Sequence, residues 1–161
     1  MAMVGRLLIF IIIPFLGQGQ QPDSFKGQVS FDELSAQLEQ MSHDTILINY
    51  WATWCKPCVE ELPVIEQFAN RHPEVKVLLV SLDFDTQMKS KLFPYIIKEG
   101  IKHDIYLLVD PDVNEWIPKV NENWSGAIPA TEVHTPGERF FHEGVFTTSE
   151  EISNFSKNGK L

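Results

Sequence analysis

Residues 46–58 read Ile46-Leu47-Ile48-Asn49-Tyr50-Trp51-Ala52-Thr53-Trp54-Cys55-Lys56-Pro57-Cys58. The run from Thr45 to Trp51 is short and rich in apolar and aromatic residues, which predicts a strand buried on both faces. From Pro57 to Arg71 apolar residues recur every three or four positions, which predicts an amphipathic helix. The two cysteines are therefore expected where a buried strand gives way to the N-terminus of a helix.

That position favours reactive cysteines. A Cys-x-x-Cys pair at the start of a helix places two sulfurs within bonding distance, and the helix end offers unpaired N–H groups and a partial positive charge. Both effects favour a thiolate over a thiol, so Cys55 is predicted to be the exposed nucleophile with a lowered pKa. Cys58, one turn into the helix, is predicted to be the shielded thiol that resolves a mixed disulfide.

The residues around the pair support this interpretation. Lys56 either adds its positive charge to the effect of the helix or is an ordinary solvated lysine. Pro57 suits the first helical turn, where a missing N–H costs nothing. The alternative is that the two thiols lie three positions apart by chance and have no redox role. Trp54 directly before the pair weakens this alternative.

Composition narrows the possible functions. The 161 residues are 43% hydrophobic and 22% charged, which is typical of one globular domain. Two cysteines are too few for a disulfide framework, a four-thiolate zinc site or an iron–sulfur cluster held by four cysteines. The expected redox group is a Cys55–Cys58 disulfide, with no cofactor. A formal charge of -9, with 13 basic residues among 22 acidic ones, argues against nucleic-acid binding. We expect a monomer.

The N-terminal residues have the pattern of a signal peptide. Arg6 precedes ten largely apolar residues, Leu7 to Leu16, and small residues follow at Gly17 and Gly19. This pattern predicts export and cleavage after Gly19. The alternative is an uncleaved membrane anchor, although a spanning helix usually needs about 20 apolar residues.

Ten patterns in all, including the two described above, predict the elements of the domain. Helices are predicted over 30–40, 57–71, 86–99, 112–122 and 149–155, and strands over 45–51, 75–82, 105–110, 130–135 and 139–146. The last two strands flank Thr135-Pro136-Gly137-Glu138, a turn signal that predicts an antiparallel hairpin. The alternation of strands and helices before them predicts an α/β fold with a parallel core sheet. The predicted organisation is a signal peptide over 1–19, a polar lead segment over 20–27 and one domain over 28–161.

The run from Ile46 to Cys58, with Pro63 shortly after it and Ile128-Pro129 far downstream, resembles the thioredoxin superfamily. It is most similar to the exported thiol-disulfide oxidoreductases of the TlpA/ResA type. The resemblance implies a thioredoxin fold, a central mixed β-sheet flanked by helices, with a helical insertion over 84–104 between the second and third core strands. It also implies that Pro129 has a cis peptide bond and lies beside the disulfide.

Two positions differ from cytoplasmic thioredoxins, which carry a buried aspartate six residues before the first cysteine. This sequence has Asn49 there, and an amide cannot take a proton. Glu61 matches a glutamate that ResA-type members hold near the active site, and at three residues past Cys58 it shares a helix face with that thiol. Glu61 is therefore the candidate proton acceptor for Cys58, and the alternative is an ordinary solvated glutamate.

The resemblance also implies a function. It implies dithiol–disulfide exchange with protein thiols and disulfides, in the reducing direction and with an upstream dithiol as electron donor. The compartment implied is the periplasm, or the outer face of the inner membrane if the N-terminal segment stays attached. An oxidase or isomerase of the same fold remains an alternative.

A copper chaperone of the same fold is a weaker alternative, since the Sco type has three residues between its cysteines and this chain has two.

The histidines show no ligand spacing and are predicted to lie on the surface: His43, His72, His103, His134 and His142. Trp51 and Trp116 are predicted to be core residues. Trp54 is expected to flank the redox site, and the position of Trp124 is left open.

Overall fold

The computed structural model describes residues 20–41 and 45–160, so the predicted signal segment and His43 lie outside the described residues. Six strands form one sheet: β1 (Phe25–Val29), β2 (Ile46–Trp51), β3 (Lys76–Ser81), β4 (Asp104–Leu108), β5 (Ala130–His134) and β6 (Arg139–Glu143). Five α-helices accompany it: α1 (Phe31–Gln40), α2 (Lys56–Arg71), α3 (Phe93–Glu99), α4 (Val113–Val120) and α5 (Ser149–Asn158). Four of the five predicted helices and the antiparallel hairpin of β5 and β6 are confirmed, with ends shifted by a few residues. The helix predicted over 86–99 is an α-helix only from Phe93.

The sheet is mixed, as the resemblance implies. Its strand order is β1-β4-β3-β2-β5-β6, in which β1 to β4 run parallel and β5 and β6 pair antiparallel. Trp51 pairs with Ser81, Tyr50 with Ala130, and Ala130 with Glu143. The C-terminal ends of β2, β3 and β6 therefore meet the start of β5 at one end of the sheet, which we call the cysteine edge.

Each face of the sheet carries its own hydrophobic core. Helices α2, α3 and α5 cover one face, where Trp51 and Phe68 are fully buried. Helices α1 and α4 cover the other face, where Tyr50, Trp116 and Trp124 pack together. Trp51 and Trp116 are therefore core residues, as predicted.

Strand β1 was not predicted, and the domain begins before residue 28. The predicted lead segment over 20–27 contains the start of this strand, which pairs with β4 at the edge of the sheet. Only Phe25 and Val29 of its five residues are buried. Gly27 has a φ of 146°, and the pairing register shifts between Phe25 and Gly27. Because this irregularity removes the alternating pattern of a regular strand, the segment looked like a polar lead.

The insertion between β3 and β4 is helical, as predicted, but it is not one helix. A short 3-10 turn over Asp85–Gln87 leads into a π-helical turn over Met88–Leu92 and then into α3. Its buried residues, Leu92, Phe93 and Ile96, pack into the core on the side of α2. Within the described ranges, no helix is both long and apolar enough to cross a membrane.

Candidate active site

The two cysteines form a disulfide at the start of α2. Cys55 is the N-cap residue, and the Cys58 amide donates a hydrogen bond to the Cys55 sulfur at 3.3 Å. Cys58 has no exposed surface, which agrees with its prediction as the shielded thiol. Cys55 keeps only 6% exposure, so the prediction of a freely exposed nucleophile was wrong. Cys55 is nevertheless the member of the pair that reaches the surface.

The loop before β5 covers the disulfide and explains this burial. The Ile128–Pro129 peptide bond is cis, and the carbonyl oxygen of Ile128 lies 3.6 Å from the Cys55 sulfur. The Gly144 amide donates to the carbonyl of Pro129 at 3.0 Å, which ties this loop to the end of β6. Pro129 therefore lies beside the disulfide.

Two further residues hold the same loop in place. The Trp124 indole N–H donates to the carbonyl of Ala127 at 2.8 Å, while its ring packs on the opposite core with 5% exposure. The Glu143 carboxylate accepts a hydrogen bond from the Ser125 amide at 2.8 Å and from the Ser125 hydroxyl. Trp124 thus belongs to the core and acts on the site through the loop.

Three exposed apolar side chains lie in segments at the cysteine edge. Trp54 is 55% exposed and directly precedes Cys55, which agrees with the expectation that it flanks the redox site. Phe84 is 61% exposed just after β3, and Val145 is 41% exposed just after β6. Both follow strands that end at the cysteine edge, so this edge carries exposed apolar surface.

Lys56 and Pro57 occupy the first two positions of α2. Pro57 lies in the first turn, as predicted. The Lys56 side chain is 84% exposed, and its Nζ lies 3.6 Å from the Glu60 carboxylate. A solvated charge with its own partner acts weakly on a neighbouring thiol, so this geometry favours the interpretation of Lys56 as a solvated lysine.

Glu61 is buried beneath the disulfide. It has no exposed surface and belongs with Cys58 and Ile65 to the buried face of α2. One carboxylate oxygen accepts the Phe146 amide at 2.7 Å, and the other accepts the Asn49 side-chain amide at 3.1 Å. The interpretation of Glu61 as an ordinary solvated glutamate was therefore wrong.

The surroundings of Glu61 change its acidity. Burial penalises the charged carboxylate and raises the pKa of Glu61 to about 7, and the hydrogen bonds from Phe146 and Asn49 offset only part of that rise. Asn49 donates a second hydrogen bond to the Thr131 hydroxyl at 3.0 Å. Near neutral pH, both the protonated and the ionised form of Glu61 are therefore populated in the core.

Sequence reasoning missed three contributors to this site. The Phe146 backbone amide leaves no signal in a sequence, because any residue carries one. Thr131 comes two residues after Pro129, and that spacing was the only available sign of its position. Asp83 lies two residues after the end of β3, and its carboxylate accepts the Thr53 amide. A polar side chain just after a buried strand is a sign that the sequence did offer.

The histidines do not gather at this site. The four described histidines are each partly exposed, which is compatible with their prediction as surface residues: His72, His103, His134 and His142. His103 pairs with Glu66 at 2.7 Å, His134 pairs with the buried Glu132, and His142 packs against the Phe146 ring. Across residues 20–41 and 45–160, no three histidine, cysteine or acidic side chains gather in a way that could hold a metal ion.

Comparison with protein families gives one matching model, described as thioredoxin, over residues 25–94. The thioredoxin-like protein YneN of Bacillus subtilis strain 168 is 31% identical over 107 residues, which are 58% of this chain and 62% of YneN. The thiol-disulfide oxidoreductase ResA of Bacillus cereus strain ZK / E33L is 31% identical over 75 residues, 41% of this chain and 43% of ResA. The thioredoxin of Coprinus comatus is 30% identical over 78 residues, 44% of this chain and 74% of that thioredoxin. The chain thus spans less than two thirds of the length of YneN and ResA.

Solved structures show the same fold. MTB DsbF, in its mixed oxidized and reduced forms, is 26% identical with a TM-score of 0.56, over 74% of this chain and 83% of that one. A thioredoxin-related protein from Neisseria meningitidis serogroup B is 20% identical with a TM-score of 0.63, over 76% of this chain and 89% of that one. The residues matched by the family model include both cysteines, Asn49 and Glu61.

Proposed function

The chain belongs to the thioredoxin family, and we propose that it is a thiol-disulfide oxidoreductase that acts on protein substrates through Cys55 and Cys58. The observation that carries the proposal is the disulfide at the N-terminus of α2, in which Cys55 alone reaches the surface. The similarity to ResA, which is itself named a thiol-disulfide oxidoreductase, supports it.

The reaction needs no cofactor, because the cysteine pair carries both electrons. The Cys55 thiolate attacks one sulfur of a partner disulfide, forms a mixed disulfide and releases the other partner sulfur as a thiolate that takes up a proton. The Cys58 thiolate then attacks the Cys55 sulfur, which breaks the mixed disulfide and releases the second partner thiol. The partner gains two electrons and two protons, and the chain ends with a Cys55–Cys58 disulfide.

Glu61 supplies the base for the second step. Cys58 must lose its proton to become a nucleophile, and both Cys58 and Glu61 are closed to water. A solvated base therefore cannot reach Cys58, and a carboxylate on the same helix face with a pKa of about 7 is suited to accept the proton. The Phe146 and Asn49 amides stabilise the ionised form of Glu61 without making it a strong acid.

The proposed direction is reductive, as the TlpA/ResA resemblance implies. The Cys55–Cys58 disulfide must then be reduced again by an upstream dithiol. The proposed location is the periplasm, and it is supported by the order of Arg6, the apolar run and Gly17 with Gly19.

Trapping of partners tests the proposal. Cys58→Ser leaves Cys55 as the nucleophile but removes the thiol that resolves the mixed disulfide, so partner proteins should accumulate on Cys55 in the exported compartment. They are identified by mass spectrometry of complexes that a reducing agent dissociates. Cys55→Ser is the matched control and should trap far less, because Cys58 has no exposed surface. Equal trapping by both variants, or by neither, would contradict the assigned roles.

A further inference from the structure

The segments that follow β2 and β3 leave the sheet side by side. Trp51 pairs with Ser81 at the ends of these strands, and the Leu82 amide still donates to the Trp51 carbonyl at 2.8 Å. One of the two segments leads into Cys55, and the other leads into the helical insertion. Whatever joins them at this point therefore fixes the backbone that enters the redox site.

A buried carboxylate joins them. Asp83 is 3% exposed, and its side chain accepts the Thr53 amide at 3.1 Å, the Thr53 hydroxyl, and the Ser81 hydroxyl at 2.8 Å. The Asp83 amide donates back to the Ser81 hydroxyl at 3.1 Å. No lysine, arginine or histidine in the described part of the chain forms an ion pair with Asp83. We call these contacts of Thr53, Ser81 and Asp83 the strand-end clamp.

The clamp acts on the turn that positions the nucleophile. The Cys55 amide donates to the Ala52 carbonyl at 3.1 Å, so Thr53 lies inside the turn that ends at Cys55. Burial of an ionised carboxylate is costly unless donors surround it, and hydrogen bonds to a charged acceptor are stronger than those between neutral groups. The contacts that stabilise the Asp83 charge are thus the ones that restrain the turn.

Two exposed aromatic residues directly follow the clamp residues in sequence. Trp54 directly follows Thr53, and Phe84 directly follows Asp83. At 55% and 61% exposure, both rings present apolar surface to solvent at the cysteine edge. Two large exposed aromatic residues beside a reactive group are suited to contact with a partner polypeptide. A small-molecule disulfide, which contacts only Cys55, would gain nothing from Trp54 and Phe84.

We propose that Asp83 is a positioning residue that, through Thr53, holds Cys55, Trp54 and Phe84 in the arrangement met by protein disulfides with apolar neighbouring side chains. This inference rests on the proposed function and extends it to substrate selection. Loss of the clamp impairs exchange with a protein disulfide more than exchange with a small one.

The test compares two substrates of different size. Asp83→Ala is assayed in the reduced protein for its second-order rate constants with insulin, a protein disulfide, and with oxidised glutathione. Insulin must meet Trp54 and Phe84 as well as Cys55, whereas glutathione needs Cys55 alone. Because misplaced contacts have large kinetic effects, we expect the insulin rate constant to fall at least ~10-fold and the glutathione rate constant less than about 3-fold. An unchanged ratio of the two rate constants in a folded variant would overturn the inference.

Milder variants keep the test decisive if Asp83→Ala does not fold. Thr53→Val removes one hydroxyl donor and keeps the backbone hydrogen bond, so it should lower the same ratio to a smaller extent, and Thr53→Ser should restore it. Phe84→Ala alters an exposed side chain and should lower the ratio without loss of stability. If Thr53→Val and Phe84→Ala both keep the wild-type ratio, the inference is wrong.

A control variant separates positioning from general stability. Tyr50→Phe removes a buried hydrogen bond of 2.8 Å to the Glu132 carboxylate on the opposite face of the sheet. It should lower stability and leave the substrate ratio unchanged. A wild-type protein that reduces neither substrate would instead refute the proposed function, so the two failures are distinguishable.

Discussion

Glu61 is the residue whose ionisation couples the site to the stability of the fold. Burial raises its pKa from 4.5 to about 7, so the folded chain holds this proton more tightly than the unfolded chain does. The bound proton on Glu61 stabilises the folded state fully at pH values below about 4.5, the pKa in the unfolded chain, and this stabilisation is lost as the pH rises through about 7. The free energy of unfolding should therefore fall across this window, by up to about 3 kcal/mol if the full shift applies.

Glu61→Gln should remove this pH dependence. Glutamine takes no proton, so the variant gains stability relative to the wild type between pH 5 and pH 8, by about 2–3 kcal/mol. Urea unfolding of the oxidised proteins at both pH values measures the change. The same variant should lose the inflection near neutral pH in the rate at which the mixed disulfide is resolved.

A neighbouring glutamate provides the control. Glu60→Gln changes an exposed residue one position earlier in α2 and should follow the pH dependence of the wild type. If the free energies of unfolding of Glu61→Gln and the wild type change by the same amount from pH 5 to pH 8, the pKa of Glu61 is not raised as described.

The identity of the site residues was more predictable than their surroundings. The cysteine spacing and the position of Glu61 three residues later can be read from one short segment. The burial of Glu61 depends on Asn49 and on the Phe146 amide, which lie 12 and 85 residues away along the chain. A local sequence pattern does not reveal contacts between residues so far apart in the chain. The sequence therefore left open whether Glu61 is a proton acceptor or a solvated residue.

At the scale of elements, the predictable segments are those with a strong local pattern. Helices α1 and α5 each begin with a capping box. The Ser30 and Thr148 hydroxyls accept the amide of the glutamate three residues on, and the carboxylate of that glutamate accepts the Ser30 or Thr148 amide. The insertion was harder to predict, because its helical residues change from a 3-10 turn to a π turn before α3 begins. Buried Leu92, Phe93 and Ile96 determine that path through packing, which overrides local periodicity.

The two capping boxes give a matched pair of variants. Thr148 begins α5 two residues after Phe146, whose amide binds Glu61, whereas Ser30 begins α1 on the opposite face of the sheet. Thr148→Ala and Ser30→Ala should each lower the free energy of unfolding by about 1 kcal/mol. Only Thr148→Ala should loosen the Phe146 amide, and since that hydrogen bond lowers the pKa of Glu61, the pKa should rise further.

Carboxyl carbon NMR measures this difference directly. The Glu61 signal is titrated in both variants and in the wild type. An equal displacement of the titration midpoint in Ser30→Ala and Thr148→Ala would show that Glu61 responds to overall stability and not to the start of α5.

At the scale of the whole molecule, the site depends on the order of strands in the sheet. The parallel pair β2 and β3 and the antiparallel pair β5 and β6 bring four distant segments to the cysteine edge: residues 52–58, 81–84, 128–131 and 144–146. The first and third segments carry motifs and were predicted. The other two contribute Asp83 and the Phe146 amide through topology, which no single motif specifies.

The predicted N-terminal cleavage concerns the chain outside this fold. At 1.5 Å per residue, ten apolar residues span about 15 Å as a helix, half of the roughly 30 Å hydrocarbon core of a bilayer. This length favours a signal peptide over a stable anchor. Because β1 begins at Phe25, cleavage after Gly19 leaves every strand of the sheet intact.

N-terminal sequencing of the exported protein tests this prediction, and the expected first residue is Gln20. Signal peptidase requires small residues at the positions of Gly17 and Gly19, so Gly19→Phe should block cleavage and retain the longer chain at the membrane. Gln18→Leu changes the position between them, where size is not restricted, and should be processed like the wild type. A wild-type chain that still begins at Met1 and sediments with membranes would establish the anchored form instead.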